Sequence, residues 1–215
     1  MRSKSRPIGL KNTSFIEEAR RKQIIDATIE AVSQEGYAGA SLAKLAARAK
    51  ISKSIISYHF AGKDELLEQT VNQIYADIWQ SIRPRIEAEE TATGKLRGYI
   101  EGEFAYLEKQ RPQLLTISYI LMNHRDSRGR LYLLEDAERR NLETLGGLLE
   151  LGQKNGEFRN FALRPMAITL ISAINGALGQ WAADSNLSLA EYAKELTTIF
   201  ELATRKTDRA TKRRS

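Results

Sequence analysis

The twenty residues from Ser41 to Phe60, SLAKLAARAKISKSIISYHF, constrain the fold of this chain more than any other stretch. They divide into two short amphipathic segments around a tight break. In the first, Leu42, Leu45, Ala46 and Ala49 recur at helical spacing, with Lys44 and Arg48 on the opposite face. Side chains this small let a second helix cross closely, and Ala46 and Ala47 stand where it would pass. The break is Ala49-Lys50-Ile51-Ser52. The Ser52 hydroxyl suits an N-cap, because it can accept from the orphan backbone N–H groups of the next turn, so the second helix starts at Lys53. Its inward side is Ile55, Ile56 and Phe60, while Lys53, Ser54, Ser57, Tyr58 and His59 are polar and point elsewhere. Two such helices read as a helix-turn-helix, and the polar side suits a major groove about 12 Å wide. An ordinary helical hairpin in an all-α core is the competing reading.

Upstream, residues 1–14 are basic and aperiodic and are expected to be a disordered arm, with Arg2, Lys4, Arg6 and Lys11 able to lie along phosphates. A first helix is expected from Phe15 to Gln34, burying Ile24, Ala27, Thr28, Ala31 and Val32, and Gly36 ends it in a left-handed conformation. Tyr37 reads as a core plug and Ser41 as a second N-cap. Downstream, Ala61-Gly62-Lys63-Asp64 is a turn. A long helix then carries Leu66, Leu67, Thr70, Val71, Ile74, Ile78 and Ile82 as far as Pro84, which is expected to end or kink it. The expected organisation is an arm (1–14), a helix-turn-helix domain (15–64, with the motif at 41–60), a helical body (65–204) and a disordered basic tail (205–215).

Charge follows that division. Residues 1–64 hold 12 Lys and Arg against 6 Asp and Glu, residues 65–204 hold 15 against 20, and the last eleven residues hold 6 against 1. A basic N-terminal domain on an acidic body fits nucleic-acid binding confined to one part of the molecule. The absence of cysteine excludes disulfides, thiolate metal sites and thiol nucleophiles. With two separated histidines and no Gly-x-Ser-x-Gly or His-Glu-x-x-His, no enzyme chemistry is indicated, and no catalytic residue, metal or cofactor is expected. The opening residues lack the apolar core of a signal peptide, so a soluble cytoplasmic protein is expected.

Residues 20–71 resemble the TetR family of bacterial transcription repressors. The resemblance rests on RRKQIIDATIEAVSQEGY, SLAKLAARAKIS and SYHFAGKDELLEQTV; locally it is greatest to the choline-responsive repressors of betaine synthesis. It implies that Ser41 and Lys63 bond phosphates, that Lys53, Ser54 and Ser57 lie at the major groove, and that Tyr58 and His59 lie near the backbone. Two positions depart from the family pattern: Lys50 stands where glycine is usual, and Ser57 where many members have tyrosine. The family also implies an all-α chain whose C-terminal helical domain binds a small-molecule effector and forms a homodimer through its last two helices. DNA is then released when the effector binds.

The body reads as helices throughout. One carries Tyr99, Ile100, Phe104, Ala105 and Leu107, and another Leu114, Leu115, Ile117, Tyr119, Ile120 and Met122. A third spans Leu131 to Gln153. Met166 to Ala183, started by Pro165, is apolar nearly all round and should be buried on more than one side. Leu189 to Thr204 carries Tyr192, Leu196, Ile199, Phe200 and Ala203 in one stripe. Ala173, Gly176, Ala177 and Gly179 would allow a close helix contact, within the chain or across a dimer. Candidate effector-lining residues are Trp79, Tyr99, Phe104, Tyr119, Met122, Asn175 and Trp181, each of which also fits plain core. If the choline resemblance extends to function, Trp and Tyr faces would hold a quaternary ammonium. His124, beside Arg125, Asp126 and Arg128, reads as a solvated loop residue. Two alternatives stay open: a helical adaptor for protein partners or anionic surfaces, and a TetR-like protein that activates genes or acts on chromosome structure.

Overall fold

The computed structural model describes residues 10–206; residues 1–9 of the expected arm and 207–215 of the expected tail lie outside the described residues. The described chain is helical: α1 (Leu10–Glu35), α2 (Leu42–Arg48), α3 (Lys53–His59), α4 (Lys63–Glu87), α5 (Ala92–Lys109), α6 (Arg111–Asn123), α7 (Tyr132–Lys154), α8 (Leu163–Ala183) and α9 (Leu189–Thr204). Among the described residues the only β pairing is an isolated bridge between Phe158 and Arg205. The described residues divide into two compact units, one of residues 10–74 and 115–123, the other of residues 75–114 and 124–206.

The first unit is built by the expected stripes. Ile24, Ala27, Thr28, Ala31 and Val32 of α1 are buried, together with Leu45 and Ala46 of α2, Ile56 of α3, Phe60, and Leu66, Leu67, Thr70 and Val71 of α4. Thr116 of α6 joins this core, its hydroxyl donating to the Ile29 carbonyl at 2.9 Å. Burying a side chain as large as Phe60 contributes several kcal/mol, roughly 3–5 by truncation to alanine. Ala47, expected at the helix crossing, instead faces solvent, because the crossing is made through Leu45, Ala46 and Ala49.

Local chemistry sets the ends. Ser41 and Ser52 cap α2 and α3, accepting from the backbone N–H groups of Lys44 (3.3 Å) and Ile55 (3.4 Å). Gly36 stops α1 at φ 67° and ψ −167°, a region open essentially only to glycine and distinct from the expected left-handed helical one. Lys50, in the turn, has φ 54°. Tyr37 is half-buried rather than a full core plug, because one ring face receives Lys63. Pro84 does not end α4, which continues to Glu87. The proline removes one hydrogen bond, to Gln80, and Gln80 is exposed, so water can take its place.

In the second unit α5 packs against α7 and α9, and α8 against α7 and α9. The Glu157 carboxylate closes the start of α5, accepting from the N–H groups of Ala92 (2.9 Å) and Thr93 (3.2 Å). Arg97 of α5 binds Glu201 of α9 at 2.9 Å. His124 is 2% exposed, which corrects the solvated-loop reading. Asp126 gathers the following turn, accepting from the N–H groups of Arg128 and Arg130, so the charges face out while His124 turns in, with its Nε2 3.2 Å from the Tyr132 hydroxyl.

The last two helices also differ from expectation. By length and composition α8 could cross a membrane, but Ala167, Leu170, Ile174, Ala177, Leu178 and Trp181 make it a core helix of this unit. It is buried along one side only: Ile168, Ser172, Asn175, Gly176 and Gly179 are exposed. In α9 the buried positions are Leu189, Ala193, Thr197, Phe200 and Thr204, whereas Tyr192, Ile199 and Leu202 are exposed. The helix is apolar on two sides, and within one chain only one of them is covered.

Candidate functional site

The first unit presents α3 with its polar side outward. Lys53, Ser54, Ser57 and Tyr58 are exposed, Tyr58 to 74%; Ile55 and His59 are half-buried and Ile56 is fully enclosed. This arrangement follows from the period of the sequence, since Ile56 and Phe60 are four residues apart and lock one side into the core. Ser54 leans back on the cap, its hydroxyl 2.7 Å from that of Ser52. The Tyr58 and His59 rings meet edge to face at 5.0 Å, and the Tyr58 hydroxyl donates to Glu17 at 3.3 Å.

Helix α1 closes the C-terminal ends of both motif helices. Gln23 donates from its side-chain amide to the Ala49 carbonyl at the end of α2, at 2.9 Å. Arg21 donates to the His59 carbonyl at the end of α3. These carbonyls are among those a helix leaves without intrahelical partners. The Arg21 guanidinium also covers the Phe60 ring at 4.4 Å and pairs with Glu65 at 3.7 Å. Glu65 in turn accepts from the Ala61 N–H at 2.5 Å, which fixes the turn into α4. On the other side of the motif, Arg48 of α2 reaches Glu30 and Glu35 of α1 at 3.3 and 3.1 Å.

Lys63, the first residue of α4, sits with its ammonium 4.3 Å from the centre of the Tyr37 ring. Burial pulls its pKa down, with the neighbouring Asp64 carboxylate opposing. The ring holds the charge by cation–π attraction at the start of a helix.

Residues 24–70 of the chain match the family model described as "Bacterial regulatory proteins, tetR family". The N-terminal unit contains a TetR-family helix-turn-helix domain. The same region also matches curated relatives. The HTH-type transcriptional regulator BetI of Paraburkholderia phytofirmans is 40% identical over 102 residues, and that of Burkholderia thailandensis is 35% identical over 102 residues. Each match covers 47% of this chain and 52% of the relative, so the chain spans about half the length of the curated relatives it matches. In structure, the fatty acid degradation regulator FadR from Bacillus halodurans has a TM-score of 0.76 at 21% identity, covering 86% of this chain and 99% of its own. FadR from Bacillus subtilis, solved in complex with stearoyl-CoA, has a TM-score of 0.74 at 21% identity, covering 83% and 96%. The fold is therefore a TetR-family helix-turn-helix domain followed by a C-terminal helical domain.

Within the TetR-family domain, Lys53, Ser54, Ser57, Tyr58 and His59 lie together on α3, Ser41 stands at the start of α2 and Lys63 at the start of α4. The candidate effector residues differ in burial. Tyr99, Phe104 and Trp181 are buried, whereas Trp79, Tyr119, Met122 and Asn175 are exposed, and Trp181 is flanked by Arg111, whose guanidinium lies 5.8 Å from its ring.

Sequence reading passed over Arg21, and also over a polar cluster inside the second unit. Glu103 and Tyr99 occupy successive turns of α5 on one side, and the Tyr99 hydroxyl donates to the Glu103 carboxylate. Tyr75 of α4 lies within electrostatic reach of both and hydrogen-bonds Asn141 of α7. Glu103 is half-buried, and burial pushes its carboxyl pKa up to about 7 against the pull of Tyr99. Burial and the Glu103 charge push the Tyr99 hydroxyl well up, and they raise Tyr75 as well. The signal was present in the sequence: Leu96, Tyr99, Ile100, Phe104 and Leu107 form the apolar stripe of α5, and Glu103 interrupts it.

Proposed function

We propose that this protein is a transcriptional regulator that binds DNA as a homodimer, with α3 as the reading helix. The observation that carries the proposal is the polar side of α3, exposed along its length and held at its end by Arg21. On this reading Lys53, Ser54 and Ser57 meet base edges. Ser41 and Lys63 meet phosphates from two helix starts, and Tyr58 and His59 lie at the backbone. The matching of this region to DNA-binding regulators, BetI among them, supports it.

The dimer is supported by the uncovered sides of α8 and α9. A Cβ added at Gly176 or Gly179 would meet nothing within 4 Å, so packing inside the chain does not require these glycines. They suit the close approach of a helix from a second copy, with Ile168, Tyr192, Ile199 and Leu202 supplying apolar area. Two reading helices on such a dimer would address successive major grooves, roughly 34–36 Å apart, on a palindromic site.

The regulator is a repressor in this proposal, acting in the cytoplasm and released when a small molecule binds the body. The released state would have to bind the effector better than the DNA-bound state does. A protein of similar fold seen with stearoyl-CoA supports a body that accepts small molecules, with Tyr99, Phe104 and Trp181 the buried candidates here. Selection of bound sequences from a random duplex library at about physiological salt tests the reading. A recovered palindrome supports it. No enrichment from folded protein would transfer the assignment to the adaptor for protein partners or anionic surfaces.

A further inference from the structure

The turn between α2 and α3 closes as a hydrogen-bonded helix end: the Lys50 N–H donates to the Ala47 carbonyl at 3.2 Å and the Ile51 N–H to the Ala46 carbonyl at 3.0 Å. That pair of bonds needs a left-handed residue just past the last helical turn, and glycine takes the conformation without penalty. Here the position is held by Lys50, at φ 54°, the only non-glycine residue with positive φ among those described. No contact within the described residues offsets the strain. Lys50 is exposed, and none of their carboxylates pairs with it. The other cations of the motif are held within the chain: Lys44 pairs with Glu35 at 2.5 Å, Arg48 with Glu30 and Glu35 at 3.3 and 3.1 Å, and Lys63 lies on the Tyr37 ring. Helix α1 thus neutralises the cations of α2, while Lys50 and Lys53, on either side of the Ser52 cap, keep their charge free among the described residues. A strained residue whose side chain meets only solvent calls for a contact outside the chain.

We infer that Lys50 is a phosphate anchor, binding the DNA backbone at the edge of the major groove that α3 enters. The inference deepens the proposed DNA binding and rests on that reading. Lys50 precedes Lys53 by three residues, so their Cα atoms are no more than about 11 Å apart. The groove itself is about 12 Å wide. With Lys53 at base edges, the long stem of Lys50 brings its ammonium to a phosphate on the rim of the groove, and its origin in the turn ahead of α3 keeps it off the bases. Such a contact is a point charge on a polyanion and carries no sequence preference. It is a property of this chain, because the glycine usual at this position has no side chain to make it.

The test uses the full chain and two duplexes, one recovered by selection and one random, with binding isotherms at several salt concentrations between about 0.1 and 0.5 M. Lys50→Gly installs the residue that the turn prefers, so it should melt no lower than wild type. It should nevertheless bind both duplexes about fivefold more weakly at about 0.15 M salt, the factor that one released counterion supplies relative to 1 M at a slope near 0.9. Its slope of log affinity against log salt should be shallower by about 1. Lys50→Arg should keep the wild-type slope. Lys154→Gln removes the same charge from α7, where Lys154 pairs with Glu150 at 2.8 Å, and should leave the slope unchanged. An unchanged slope in Lys50→Gly, an equal loss in Lys154→Gln, the same loss in Lys50→Arg, or an altered sequence preference in Lys50→Gly would each overturn the inference while leaving DNA binding in place. Folded wild-type protein that binds neither duplex would remove the DNA-binding reading itself, and the inference with it.

Discussion

The guanidinium of Arg21, in α1, covers the ring of Phe60 at 4.4 Å while one of its N–H groups reaches the carbonyl of His59. One side chain thus plugs the core beneath the reading helix and closes its last turn. Arg21 is itself assigned no DNA contact and holds the carbonyl of His59, so it acts by positioning. Arg21→Ala should lower the stability of the unit by on the order of 1–2 kcal/mol, from the lost cation–π contact and hydrogen bond. It should also reduce discrimination between selected and random duplex. Arg21→Lys restores the charge near Glu65 but not the planar fork, so stability should recover in part and discrimination should not. Denaturant titration with paired binding isotherms on the two duplexes checks this; full recovery of discrimination by lysine would reduce Arg21 to a point charge.

Lys63 and the residues of α3 should separate by kind of effect. Lys63 stands on Tyr37 at the beginning of α4, where it can reach only phosphate in the proposed pose. Lys63→Ala should weaken binding to every duplex about equally and reduce the slope of log affinity against log salt by about 1. Lys53→Ala and Ser54→Ala should also change which sequences are preferred. Selection profiles for the three variants measure the difference, and identical profiles would remove direct readout from α3.

How much of this was legible beforehand depends on the range of the interaction. Ser41, Ser52 and the ends of α9 at Leu189 and Thr204 are local, since a hydroxyl caps the N–H three residues on and a stripe repeats every turn. The Arg21–His59 contact joins residues 38 apart, and nothing near Arg21 in the sequence marks its target. For α8 and α9, periodicity shows that the helices are apolar but not which side the chain itself covers. Phe200 and Ile199 look equivalent in sequence, yet the first is enclosed and the second exposed. That Pro84 would not end α4 was not legible, because a proline's cost depends on whether the carbonyl it orphans meets water, which is a tertiary fact. His124 misled because its charged neighbours, drawn outward by Asp126, leave the ring pointing in.

The turn between α2 and α3 carries a removable strain. Lys50 is exposed and holds φ 54°, a conformation that costs a residue with a Cβ about 1 kcal/mol relative to glycine. Lys50→Gly should therefore raise stability by up to about 1 kcal/mol, partly offset by the greater freedom of glycine in the unfolded chain. Lys50→Val should lower it, because branching at Cβ worsens the clash. Melting midpoints of the three proteins decide the matter, and the ranking Gly above Lys above Val is the expected one.

The Glu103 carboxyl sets a pH dependence whose sign can be worked out. In the folded protein its pKa is pushed up to about 7 from an ordinary 4.5, so between those values the folded state holds a proton that the unfolded chain has released. The stability associated with that proton is fully present below about pH 4.5, declines as pH rises, and is gone above about pH 7. The loss is at most on the order of 3 kcal/mol. Glu103→Gln does not titrate, keeps a partner for the Tyr99 hydroxyl, and cancels the contribution of every other group when compared with wild type. The difference in unfolding free energy should therefore be small at pH 4.5 and grow in favour of the variant up to pH 8, as read from urea titrations at four or five pH values. Curves that run parallel across this range would place the carboxyl in water.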